Sequence, residues 1–131
     1  AAFRGGQTHA SGRMIDFYGG AGTFASWPQR VRDYAIETTP SNLLDWTSAY
    51  GFRLTPALLA TVATPTLVVW GQASHPAVRR TNELLGRHIP NAARTAINGA
   101  SHFMIATHPQ QFAGLTARHA AQASRSLEAA R

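Results

Sequence analysis

The tightest constraint on this chain is Thr66-Leu67-Val68-Val69-Trp70, an uninterrupted apolar and largely β-branched run that stops at Gly71. A run without polar alternation is the pattern of a strand covered on both faces, and such strands are typically parallel. A parallel partner has to be reached by a crossover, and the chain offers one. Pro76 opens a helix in which Val78, Thr81, Leu84 and Leu85 recur at helical spacing, with a stop expected near Gly86. Ile89-Pro90-Asn91 reads as a turn, and 94–97 as a second, shorter strand. His108-Pro109 opens a last helix with Phe112, Leu115 and His119 on one face. Strand, helix, strand, helix with short connections is a βαβ unit with a covering helix. Two strands are too few to hold a sheet of their own in water. The expectation is therefore the C-terminal part of a larger α/β sheet, or a chain that pairs with more sheet.

The first half has a different period. Residues 1–12, with Gly5, Gly6 and Gly12, read as loop or as the tail of an earlier structure, and 13–18 as a short helix ended by Gly19-Gly20 and Gly22. Ser26 caps a helix carrying Val31, Tyr34 and Ala35 to about Thr38. Pro40-Ser41 starts another, ending near Gly51, and Thr55-Pro56 is a cap-then-proline signal for a short third. The organisation expected from this is a helical segment over 1–62 and a βαβα segment over 63–131.

At 131 residues the chain is long enough for one compact domain, burying roughly two thirds of its unfolded surface. An apolar fraction of 44% with 14% charged residues belongs to globular chains, not disordered ones. The net charge is +6, from twelve bases, all arginine, against six acids. Those arginines stand singly or in pairs and do not interleave with aromatics, so a nucleic-acid partner is not expected. With no cysteine there are no disulfides, thiolate metal sites or cysteine nucleophiles. No apolar run nears the roughly 20 residues that span a bilayer, so no membrane partner is expected either. Ala1-Ala2-Phe3-Arg4 holds neither an initiator Met nor a signal-type apolar region; the natural N-terminus is expected upstream and the setting cytoplasmic.

In open α/β sheets ligands bind beyond the carboxyl ends of the strands, and both 71–75 and 99–102 lie there. His102, in a glycine-bearing turn, is the leading candidate: imidazole titrates near neutrality and can act as general base or acid. A loop histidine that only caps or packs is the plain alternative. His75 sits beside Pro76, where lining the crevice and opening a helix are both open readings. Phe103 and Met104, directly after His102, are candidates for a pocket wall, and Trp27 for an apolar pocket, although aromatics at helical spacing are more often core. His108 before Pro109 reads as a capping residue. A metal site from His75, His102 and His108 needs a convergence that the spacing does not announce, and no H-E-x-x-H pattern exists, so neither metal nor cofactor is expected.

Four segments taken in order resemble the C-terminal half of the α/β-hydrolase family. They are Thr64-Pro65-Thr66-Leu67-Val68-Val69-Trp70-Gly71, then Leu84-Leu85 with Ile89-Pro90-Asn91-Ala92, then Ile97-Asn98-Gly99-Ala100-Ser101-His102, then Thr107-His108-Pro109-Gln110-Gln111-Phe112. The stretch Ile15-Asp16-Phe17-Tyr18-Gly19-Gly20 to Phe24 is similar to a cap-region signature in one hydrolase subgroup. The resemblance implies an α/β fold in which residues 1–62 are a helical cap and 63–131 the end of the hydrolase sheet. It also implies His102 as the triad base and a small ester or similar acyl substrate, with no cofactor. Two departures stand out. The elbow G-x-S-x-G is absent, and since the nucleophile precedes the histidine in this family, the serine is expected outside the chain. Ser74 stands where the family usually places an aspartate; Asp16 is the nearest alternative acid. These departures also keep open a non-catalytic binding or interaction module.

Overall fold

The computed structural model describes residues 2–129. Its chain divides into two compact units, Ala1–Leu54 and Thr55–Arg131. The break lies between Leu54 and Thr55, where the sequence reading places it at 62/63.

The first unit consists of four helices: α1 Ala2–Gly19, α2 Thr23–Ser26, α3 Gln29–Glu37 and α4 Thr39–Gly51. α1 runs straight through the stretch expected as loop. Its glycines lower helix propensity by about 1 kcal/mol each relative to alanine, so propensity alone does not account for it. What accounts for it is contact with the later helices. Ser11 is 1% exposed, and its hydroxyl bonds Thr39 Oγ1 at 2.5 Å and the Ala35 carbonyl at 3.4 Å. Thr39 Oγ1 in turn donates to the same carbonyl at 2.9 Å. A Cβ on Gly12 would lie 3.3 Å from the Phe24 ring, so the missing side chain is what lets that ring close on α1. Ile15 is buried one turn further on. Beside it runs an aromatic chain: Phe17 edge-on to Tyr18 at 5.1 Å, Tyr18 to Trp46 at 5.5 Å, and Trp46 to Tyr50 at 5.5 Å. Burial, and then the neighbouring Tyr50, push the Tyr18 phenol above its ordinary pKa.

The second unit begins with α5, Pro56–Leu59, whose cap is the one the sequence announces: Thr55 Oγ1 accepts from the Leu58 N–H at 3.1 Å. Then follow β1 Leu67–Gly71, α6 Pro76–His88, β2 Ala93–Ile97, α7 Met104–Thr107 and α8 Pro109–Ala129. β1 and β2 pair in parallel, with Leu67 opposite Ala93 and Gly71 opposite Ile97. Alternation sends Val69 to one face of this ribbon, where it packs with Ile97, Ala100 and Met104 against Phe112 and Leu115 of α8. Val68 points to the other face, toward α6, where its Cγ2 is 3.7 Å from the position a Cβ on Gly86 would take. Gly86 does not end α6, which continues to His88; it is where the Arg94 side-chain stem crosses the helix.

The sheet expected from the sequence is overturned. Helices make up 65% of the chain, and the sheet among the described residues has two strands. The fold is a small, helix-dominated one, not the end of an α/β-hydrolase sheet behind a cap. The physical reason is visible in both units. α1 draws the first twelve positions into helix through Ser11 and Gly12, and α6 and α8 between them cover both faces of a two-strand ribbon. No helix among the described residues is long and apolar enough to cross a membrane.

Candidate functional site

Two turns leave the carboxyl ends of the paired strands and lock together. Gln72 N–H donates to the Ile97 carbonyl at 2.9 Å, extending the ladder past β1, and Ala73 N–H donates to Ala100 O at 2.8 Å. Each turn is closed internally as well, by Ser74 N–H to Gly71 O at 3.1 Å and Ala100 N–H to Ile97 O at 3.3 Å. The fit leaves no room for side chains. Ala100 is 0% exposed, and a Cβ on Gly71 would collide with the Ala100 and Ser101 carbonyls. Gly99 takes φ +73°, a left-handed conformation that glycine adopts without penalty, and this turns the chain back so that His102 follows directly.

His102 therefore sits on a turn fixed by main-chain bonds rather than on a free loop. The residue is exposed overall, but its ring lies edge-on to Phe103 at a centroid distance of 5.6 Å. Partial burial lowers its pKa below the ordinary imidazole value of 6.5, so the neutral, proton-accepting form prevails at neutral pH. Chemically, the arrangement presents a neutral base at the rim of a crevice.

The other residues singled out in the sequence divide into two groups. Ser74, His75, Phe103 and Met104 belong to the same pair of interlocked turns as His102. Ser74 is 4% exposed and its hydroxyl has no hydrogen-bond partner among the described residues. His75 is the N-cap of α6, its Nδ1 accepting from the Ala77 N–H at 3.2 Å. Phe103 is half-buried beside the ring, whereas Met104 is buried in the core with Ile97 and Ala100. His108, as expected, stands at the start of the last helix: its Nδ1 lies 2.9 Å from Thr107 Oγ1 and its carbonyl accepts from Phe112.

Asp16 and Trp27 belong to the first unit. Both Asp16 carboxylate oxygens are engaged, Oδ1 by the Phe24 N–H at 2.8 Å and Oδ2 by the Gly22 N–H at 3.2 Å. They hold the 20–24 turn and the start of α2. Trp27 is half-buried and closes α2, its N–H donating to Phe24 O at 3.2 Å. Asp16→Ala should then cost about 1–2 kcal/mol, the range for losing a capping carboxylate, read as a lower urea midpoint, with Asp16→Asn recovering part of it.

The sequence reading passes over a groove of about 350 Å³ lined by Leu67, Val69, Phe112, Thr116 and His119, on the α8 side of the ribbon. His119 Nε2 lies 3.3 Å from the Pro65 carbonyl there, and the 112/116/119 spacing on α8 is the signal that could have shown it. Its lining is mostly apolar and it holds no second titratable side chain. Among the described residues no group of three or more His, Asp or Glu side chains is placed to hold a metal ion. No family model matches the chain, and neither do any curated protein or solved structure.

Proposed function

We propose that this chain supplies the general base of a serine-type hydrolase acting on a small ester or similar acyl substrate, with His102 as that base. The observation that carries the reading is the placement of His102: a neutral imidazole on a turn pinned to the end of a parallel strand pair by the Ala73–Ala100 bond. In the reaction, a serine hydroxyl attacks the acyl carbon while His102 takes its proton, and His102 then returns that proton to the leaving alcohol. Collapse of the tetrahedral adduct gives an acyl-serine, which water attacks with His102 again as base. The serine comes from outside these 131 residues, since no G-x-S-x-G occurs in them. The order of the four hydrolase-like segments supports the same reading, independently of the sheet that carries His102.

A fluorophosphonate probe and p-nitrophenyl acetate test this on the 131-residue chain directly. The expected result is no labelled serine and no turnover beyond that of free imidazole. Stoichiometric labelling of a serine within the chain, Ser74 and Ser101 included, places the nucleophile inside it and overturns the assignment. A second reading, a non-catalytic binding module, is favoured by one observation: Ser74, with no carboxylate to offset an imidazolium, is the buried side chain on the turn facing His102.

A further inference from the structure

Ser74 presents a buried hydroxyl that the described structure leaves without a partner, and the surroundings limit what can satisfy it. A hydroxyl removed from water with no hydrogen bond is strongly disfavoured. The atom is closed to solvent, so a neighbouring protein group is the simplest source of its partner. The carbonyls nearest in the turn junction are already accepting: Gly71 O from Ser74 N–H, Ala100 O from Ala73 N–H, and Ile97 O from both Gln72 and Ala100. The adjacent imidazole, His75, is turned onto the Ala77 N–H. The ring that the opposing turn contributes to this junction is that of His102.

We propose that Ser74 is a positioning residue for His102, its hydroxyl reaching a ring nitrogen by a change of side-chain rotamer and fixing the tautomer and orientation of the imidazole. A hydroxyl that donates to a ring nitrogen favours the neutral ring, while leaving the opposite nitrogen to face solvent and reactants. In this arrangement a serine does the orienting that a carboxylate does in a Ser-His-Asp triad, without supplying charge to the imidazolium. The functional meaning rests on His102 being the base; the contact itself does not.

The test is NMR titration of the 131-residue chain carrying His75→Asn, so that the neighbouring imidazole does not report. His108, whose Nε2 lies 3.8 Å from the Cβ position of Gly99, is assigned separately. The Ser74 amide shift is expected to follow the titration midpoint of His102. Ser74→Asp should raise that midpoint by about 1 unit or more, as an opposite charge within contact range does. Ser74→Ala should alter the His102 tautomer signature in the ring ¹⁵N shifts, and Ser74→Thr should restore it. A Ser74→Asp chain with a native amide spectrum and an unmoved His102 midpoint overturns the proposal. Should that variant not fold, a Ser74 amide insensitive to His102 ionisation in the parent chain overturns it equally. None of these readouts involves turnover, so loss of the hydrolase reading alone leaves them unchanged.

Discussion

Gly71→Ala should unfold the second unit or leave it with loosened tertiary packing, at a cost above about 3 kcal/mol, the upper range for overpacking. Gly71 is buried at the end of β1, and the atoms its Cβ would meet are main chain: the Ala100 carbonyl, whose carbon would lie 2.7 Å away, and the Ser101 oxygen. A flexible side chain could swing aside, but these carbonyls are fixed. Ala100 O already accepts from Ala73 N–H, and Ala100 is sealed in the core with Ile97 and Met104. Relieving the collision means separating the two turns, which removes that bond and the packing beneath it. Gly86→Ala is the internal comparison, because the atoms met there belong to the Arg94 stem and can move. Urea denaturation of the two variants should show a large drop in midpoint for Gly71→Ala and a small one for Gly86→Ala. Equal midpoints would contradict the account of the turn junction.

His102→Gln should lower kcat/KM for p-nitrophenyl acetate by on the order of 10²- to 10⁴-fold in the polypeptide that joins this chain to its nucleophile, the range that a positioned acid–base group contributes. Glutamine keeps the polar, planar end of the side chain but cannot take a proton at neutral pH. His102 is on the outside of its turn, with the core beneath formed by Ala100 and Met104, so the fold should survive. An unchanged denaturation midpoint with the rate loss separates chemistry from structure. A variant retaining the parent rate assigns His102 no part in proton transfer.

Local pattern carried much of the second unit. The run at 66–70 became β1, Thr55 capped α5 as its position before Pro56 requires, and Phe112 and Leu115 turned their shared face to the core. Each of these signals is complete within a few residues. The failures all involve partners distant in sequence. Ser11 is joined to Thr39, 28 positions on, and Gly12 to the Phe24 ring, and those contacts turn a glycine-rich stretch into helix. Gly86 resembles a helix stop until Arg94 is seen crossing it. α7 is a single turn whose Met104 is held by the core, and four residues leave no readable period. The missing sheet has the same origin. An apolar strand announces that both its faces are covered, and α6 and α8 do that here, whereas the number of strands beside it is not written in the strand itself.

In the candidate site, the sequence indicated His102 and its companion turn through their glycines and their place after strands. It could not show that Asp16 spends both oxygens on the Gly22 and Phe24 amides, because that bonding depends on how the chain turns after α1. Nor could it show that Ser74 is closed off from solvent, which is a property of the junction between the turns.

The most direct measurement of the central claim is the pH dependence of kcat/KM for ester hydrolysis, set beside the NMR titration of His102 in the same polypeptide. A base works when unprotonated, so the rate should rise with pH through the His102 midpoint. Because burial favours the neutral ring, that midpoint should lie below 6.5. The account predicts that the kinetic and NMR midpoints coincide and that the inflection disappears in His102→Gln. A rate profile whose inflection lies elsewhere, or survives the substitution, contradicts it.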